Sequence, residues 1–215
     1  LLNGSVMPEN FDTFQEAVDE ARTKNRALVL SPQTTYTLTA AITGAEVTII
    51  GNGATIYIGD LASNALGITA AGTNSTTGIA LSSDASVLDT SILVASAGTI
   101  VAGSWLFIRS SRVFEPTSGG TYGEWVRCLS IVGTTVTLYA PLAYDYDVAD
   151  TAVVDVIEPI GNFTWSDFKI VGSGAGTQRG AFIDRAVGIQ LRNVSTDLCN
   201  NNGVGIRRCF GVDIS

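Results

Sequence analysis

Tyr144-Asp145-Tyr146-Asp147 places two carboxylates and two phenols in four consecutive residues. In an extended segment alternate side chains fall on opposite faces, so the two acids would share one face and the two rings the other. A carboxyl pair of this kind is what glycoside hydrolysis requires, one group held protonated and the other ionised, about 5–5.5 Å apart for retention and about 6.5–9.5 Å for inversion. The same pattern also describes a solvated strand edge, extended by Asp150. Glu115 and Glu124 flank the turn-rich stretch Pro116-Thr117-Ser118-Gly119-Gly120-Thr121-Tyr122-Gly123. A projecting hairpin there would offer Tyr122 and Trp125 as stacking platforms for sugar rings, because aromatics combine an apolar face with a polar edge. The alternative is that Trp125 pairs with Trp105 across strands inside a local core. Asp145, Asp147, Glu124 and Asp197 are therefore the candidate catalytic acids, and Tyr122 and Trp125 the candidate glycan contacts.

No histidine occurs in the chain. Ser-His-Asp and Cys-His nucleophile systems and imidazole bases are thereby excluded from it. Three cysteines, Cys128, Cys199 and Cys209, lack metal-ligand spacing, so no metal site and no cofactor is expected. Buried free thiols are the plain expectation; Cys199 and Cys209 could bridge only if their Cα atoms come within bonding range. This cysteine usage fits assembly in the cytoplasm better than a disulfide-dependent secreted fold. Gly51-Asn52-Gly53 is no phosphate loop, since neither a helix nor a lysine follows it.

The net charge is −8, unevenly spread. Residues 1–80 carry 7 acids and 3 bases, residues 81–158 carry 9 and 3, and residues 159–215 carry 4 and 6. An acidic chain with two lysines does not suit phosphate-driven nucleic-acid binding, and Arg207 and Arg208 are too few to reverse that. No run approaches the ~20 apolar residues of a membrane span, and no signal peptide is visible. The first residue is not Met, so the native N-terminus is expected upstream.

Three short stretches set the architecture. Asn162-Phe163-Thr164-Trp165, Gly188-Ile189-Gln190-Leu191 and Gly211-Val212-Asp213-Ile214 each alternate polar or small with apolar, and their starts lie 26 and 23 residues apart. Period-two alternation predicts strands, and recurrence in the twenties predicts one unit stacked on itself with no room for a crossover helix. Glycine, with 23 residues, suits the tight corners of such a stack. Asn193 and Asn200-Asn201-Asn202-Gly203 are expected at corners too. Asp12 as N-cap with Gln15 three residues later predicts one helix, with Phe14, Ala17, Val18 and Ala21 on its apolar face and an end near Asn25. Acids crowd its start and bases its end, as the helix dipole favours. Strands are expected around 27–30, 36–38, 47–50 and 54–58, with a loop or irregular layer over 59–80. The Gly-punctuated apolar runs of 86–158 predict an antiparallel meander.

The block Asp12-Thr13-Phe14-Gln15-Glu16-Ala17-Val18, then Leu28-Val29-Leu30-Ser31-Pro32 and Thr35-Tyr36-Thr37-Leu38, resembles the opening motif of pectate-lyase-like right-handed β-helix proteins, among them bacteriophage tailspikes and polysaccharide depolymerases. Gly103-Ser104-Trp105-Leu106, Gly123-Glu124-Trp125-Val126 and Thr135–Leu142 look like the β insertion common in tailspikes. The resemblance implies an all-β, right-handed parallel β-helix with an N-terminal capping α-helix and a mostly antiparallel insertion. Residues 1–11 would be a linker, 12–85 the capping helix and first layers, 86–158 the insertion, and 159–215 further layers of a stack expected to continue past Ser215. It also implies a phage tailspike or tail fibre subunit, homotrimeric and joined to other tail proteins, that recognises bacterial surface polysaccharide, with degradation of that polysaccharide as a further expectation. A free extracellular lyase, hydrolase or epimerase, or a purely structural tail component, are the alternatives. The chain departs from the pectin-cleaving glycosidases in lacking adjacent aspartates and a Gly-His-Gly segment. Thr196-Asp197 is only faintly similar to their first catalytic strand. Arg207-Arg208 with Asp197 and Asp213 could imitate the arginine base and calcium acids of pectate lyases, although no calcium loop is present.

Overall fold

The computed structural model describes residues 4–115, 120–174, 178–199 and 203–215. In chain order α1 is Phe14–Thr23, followed by β1 (Leu28–Val29), β2 (Thr35–Thr37), β3 (Ile49–Tyr57), β4 (Leu66–Ala71), β5 (Thr73–Ala80), β6 (Ser91–Leu93), β7 (Trp105–Glu115) and β8 (Gly120–Val132). There follow β9 (Thr135–Leu138), β10 (Val153–Glu158), β11 (Ile160–Gly161), β12 (Thr164–Val171), β13 (Arg179–Asp184), β14 (Ala186–Asp197), β15 (Val204–Arg207) and β16 (Phe210–Ile214). The strands form two compact units, residues up to Ala71 with 160–215, and residues 72–159.

Every strand pair in the first unit is parallel. Leu28 pairs with Ile49, Ile49 with Trp165, Trp165 with Leu191, and Leu191 with Ile214, so one column crosses five strands. Leu28, Ile49, Trp165 and Leu191 are buried. Thr164 pairs with Gln190 and Ile189 with Val212, which sets Phe163, Ile189 and Val212 in a second column. The residues that open the three sequence repeats, Asn162, Gly188 and Gly211, all have left-handed backbones, with φ of 58°, 66° and 65°. Each repeat thus begins at the same corner, where only Gly and Asn are conformationally cheap. A third sheet of β4, β13 and β15 is also parallel.

The helix forms as expected, shifted by one residue at its start. Thr13 is the N-cap rather than Asp12: its hydroxyl accepts from Glu16 N–H, and its own N–H donates to the Glu16 carboxylate. Gln15 is used elsewhere, its amide exchanging two hydrogen bonds of 2.9 Å with the backbone of Thr43. Ala17, Val18 and Ala21 are buried in the first unit's core. Asn25, with φ of 49°, turns the chain out of the helix.

Residues 59–80, expected as a loop or an irregular layer, hold β4 and all of β5. Their small and hydroxylated residues give little hydropathy contrast, so the alternation is silent; β4 is nevertheless buried at Gly67, Ile68 and Ala70. The second unit accordingly begins at Gly72, ahead of the expected residue 86. It is an antiparallel sheet in the order β5-β10-β7-β8-β9-β6. Leu106, Ile108, Val126, Cys128, Val154 and Val156 fill its core. All three cysteines are free, and burial pushes each thiol above its ordinary range. No helix of the described residues is long and apolar enough to cross a membrane.

Candidate functional site

Strands β7 and β8 carry most of the chemistry-bearing residues. Arg109 pairs with Gly123 and Val113 with Thr121, so β7 holds two more residues than β8 between these pairs. A bulge of this kind re-aims side chains. The Ser110 hydroxyl accepts from Arg112 N–H, and the Ser111 hydroxyl donates 2.7 Å to the carbonyl of Asp150. The Arg112 guanidinium thereby lies over the Tyr122 ring, 5.4 Å from its centroid, and 3.9 Å from Asp147 Oδ2. Tyr122 meets Tyr144 edge to face at 5.1 Å. Thr121, Tyr122, Gly123 and Tyr144 line an open cleft of about 260 Å³.

Glu124 lies two residues along β8 from Tyr122, on the same face. Its carboxylate accepts from Ala143 N–H at 3.0 and 3.1 Å and from Tyr144 N–H at 3.3 Å. That grip fixes the segment carrying Tyr144. Tyr146 is fully buried, and its hydroxyl makes no hydrogen bond of ordinary geometry among the described residues. Burial first, and then the nearby charge of Glu124, push this phenol far above its usual range.

The expected face of two acids and face of two rings along 144–147 does not form, because the segment is no strand. Tyr144 is exposed while Tyr146 belongs to the core. Asp145 accepts from Val87 N–H at 2.8 Å, whereas Asp147 faces Arg112. Asp197 lies in the first unit, on β14, paired with Lys169 at 2.8 Å. The Lys169 hydrogen bond, and then its charge, lower the Asp197 carboxyl. Tyr122 and Trp125, three residues apart on one strand, fall on opposite faces. Trp125 packs edge to face on Trp105 at 5.7 Å and tilted against Phe107 at 6.4 Å, half-buried, and its indole N–H is buried without an acceptor among the described residues. These rings lie outside the unit's core cluster, not within it. Arg127 stacks between Trp105 and Tyr139, 5.5 and 5.6 Å from their centroids. Pro116–Gly119 and Asn200–Asn202 lie outside the described residues.

Arg112 escaped the sequence reading. The polar stretch Arg109-Ser110-Ser111-Arg112 follows the apolar run Trp105–Ile108, but its residue types mark neither the bulge nor its direction. Two rings, Tyr122 and Tyr144, line the cleft, with the Arg112 guanidinium over Tyr122 and Asp147 3.9 Å from that guanidinium. Glu124 and Asp145 are engaged by backbone N–H groups. Among the described residues no three His, Cys, Asp or Glu side chains gather as metal ligands.

Residues 77–158, less than half of the chain but most of the second unit, match the family model of the K1 capsule-specific polysaccharide lyase, Rider domain. No curated protein matches. Among solved structures the chain is similar to the Gp54 tailspike of Acinetobacter baumannii bacteriophage AP22, in complex with A. baumannii capsular saccharide, at 20% identity and a TM-score of 0.76, covering 98% of this chain and 36% of that one. It is also similar to the tailspike gp61 of Pseudomonas phage phi297, at 12% identity and TM-score 0.60, and to the tailspike protein gp49 of Pseudomonas phage LKA1, at 18% and 0.58. Each of these two covers 91% of this chain and 39% of the other. The chain therefore spans a little over one third of the tailspikes it matches, and at such identities the likeness is one of fold.

Proposed function

We propose that the chain is part of a bacteriophage tailspike that recognises bacterial surface polysaccharide through the Tyr122–Tyr144 cleft. One coincidence carries this: the tailspike fold extends over 98% of the chain, and the match to a capsule-lyase domain falls on the unit that bears the cleft. In this reading the first unit is the opening of a right-handed parallel β-helix of the pectate-lyase-like kind, with α1 capping its first layer. The columns through Trp165 and Ile189 support it, since stacking in register is how a solenoid shares one core. The whole protein would be a homotrimer in the virion tail, attached to other tail proteins. Sugar rings would stack on Tyr122 and Tyr144, with Arg112 donating to ring oxygens or acidic substituents. Degradation of the glycan is an extension of the same reading; Asp147, beside Arg112 at the cleft, is then the first carboxylate to test, ahead of Asp145, Glu124 and Asp197. Trp125, with Trp105, would serve as a second platform on the opposite face.

Binding of the chain to a panel of purified capsular polysaccharides, read by surface plasmon resonance, tests the proposal. The double variant Tyr122→Ala, Tyr144→Ala should lose about tenfold in affinity or more, from ~0.5–1.5 kcal/mol per aromatic contact beyond area burial. Retention of full affinity by that variant, or no binding to any capsule by the parent, would overturn it.

A further inference from the structure

A second constellation lies on the face of the antiparallel sheet opposite the Tyr122–Tyr144 cleft. Residues 81–158 carry 9 acids and 3 bases, the bases being Arg109, Arg112 and Arg127. Arg109 is paired with buried Asp155 at 2.9 Å, and Arg112 faces Asp147 at 3.9 Å. Arg127 is exposed, and among the described residues no carboxylate lies within ion-pair distance of it. Its strand is no sheet edge, for β8 runs between β7 and β9.

Both neighbouring strands hold the Arg127 side chain. Trp105 is its direct partner on β7, and Tyr139 N–H, just past β9, donates 2.9 Å to the Arg127 carbonyl. One ring from each side is thereby set against the guanidinium, with centroids 5.5 and 5.6 Å from Cζ. Trp125 backs Trp105 edge to face, whereas Tyr139 is 60% exposed. Arg127 Nε donates 3.2 Å to the Gly103 carbonyl. The N–H groups of its two terminal nitrogens have no acceptor among the described residues.

We propose that Arg127, set between Trp105 and Tyr139, is a binding site for the carboxylate of an acidic sugar. The proposal rests on the reading that the second unit binds glycan and names the class of sugar, but it uses no residue of the cleft. A guanidinium already fixed between two rings presents a planar fork that matches carboxylate oxygens, with less ordering left to occur on binding. The exposed Tyr139 ring adds an apolar surface for the C–H groups of the sugar that bears the carboxylate. A neutral sugar would leave the charge unanswered, and inorganic phosphate would leave the ring unused.

The Arg127 Nε–Hε and Trp105 indole resonances of the 15N-labelled chain, titrated separately with sodium galacturonate, galactose and inorganic phosphate, test it. Both signals should move saturably with galacturonate, at lower concentration than with phosphate, and stay still with galactose. Arg127→Gln, followed at the Trp105 indole, should weaken galacturonate binding about two- to fivefold, the scale of an exposed ion pair. Tyr139→Ala, a change at an exposed side chain, should weaken it about twofold or more through the lost ring contact. Added sodium chloride should weaken it further by screening. No saturable shift with galacturonate, an equal shift with galactose, tighter binding of phosphate, or full affinity in either variant would overturn the site. If that happens while the Tyr122→Ala, Tyr144→Ala double variant still loses capsule binding, the acidic-sugar site alone is wrong.

Discussion

At the scale of single residues, Glu9 and Tyr36 show how two side chains divide the work of holding the start of the chain. The Tyr36 hydroxyl donates to the Glu9 carboxylate and accepts from Ser31 N–H at 2.8 Å. Burial resists ionisation of Glu9, but hydrogen bonds from Ser31 and Tyr36 together outweigh it and hold the carboxyl below 4.5. Burial, and then the Glu9 acceptor, raise the Tyr36 phenol above 10.0. The signs follow by linkage. A lowered acid contributes stability that is full above 4.5 and fades as pH falls through the folded value; a raised phenol contributes stability that is full below 10.0 and fades above it, because the unfolded chain ionises first. Glu9→Gln should therefore lower the urea midpoint near pH ~7, by a difference that shrinks steadily as the pH is taken down through the folded value of Glu9. A difference that stays the same size throughout the acid titration would show that the carboxylate's charge is not the cause.

At the scale of elements, corners decide the register. Asn52, Asp167 and Asn193 take φ of 51°, 58° and 50° at a second set of turns, and Asn193 Nδ2 donates 3.1 Å to Asp167 Oδ1. Gly188→Ala would force a Cβ into a left-handed residue, 3.2 Å from Asn162 Oδ1, and should cost ~1–2 kcal/mol. Asn193→Gly should be nearly neutral while Asn193→Ala costs about 1 kcal/mol, since only alanine loses both the side-chain bond and the conformational tolerance. Urea unfolding of the three variants checks the order; an Asn193→Ala midpoint equal to the parent's would refute it. These corners were legible because Asn162, Gly188 and Gly211 recur beside an apolar alternation. What stayed hidden lacked that contrast. β5, built of Thr, Ser, Asn and Gly, reads as loop until β10 is available to pair with it. The capping helix was visible, but Asp12 and Thr13 are both good caps, and tertiary demand for Gln15 at Thr43 accompanies the choice of Thr13. In the candidate site, Tyr122 and Glu124 were found by type, whereas the bulge that turns Arg112 onto Tyr122 is a matter of register, and the sequence holds no count of strand residues across a turn.

At the scale of the whole molecule, the second unit is spliced into one corner of the first. Ala71 pairs with Asp184 and Ile160 pairs with Ala186, so where the neighbouring layer needs a single residue, Arg185, this layer carries residues 72–159. The ends of the excursion are thus already close, and the cost of closing it grows only slowly with its length. The first unit keeps its own core, from Leu28 and Ile49 to Trp165, Ile183 and Ile189. Joining Ala71 to Ile160 through one glycine should therefore give a chain that retains a β-sheet circular dichroism spectrum and unfolds cooperatively, the glycine taking the left-handed backbone that Arg185 adopts in the adjacent layer. The shortened chain should lose capsule binding, because the Tyr122–Tyr144 cleft leaves with the excised unit. Non-cooperative melting would show that the parallel layers need the second unit to fold; capsule binding that survives the excision would place recognition in the first unit instead.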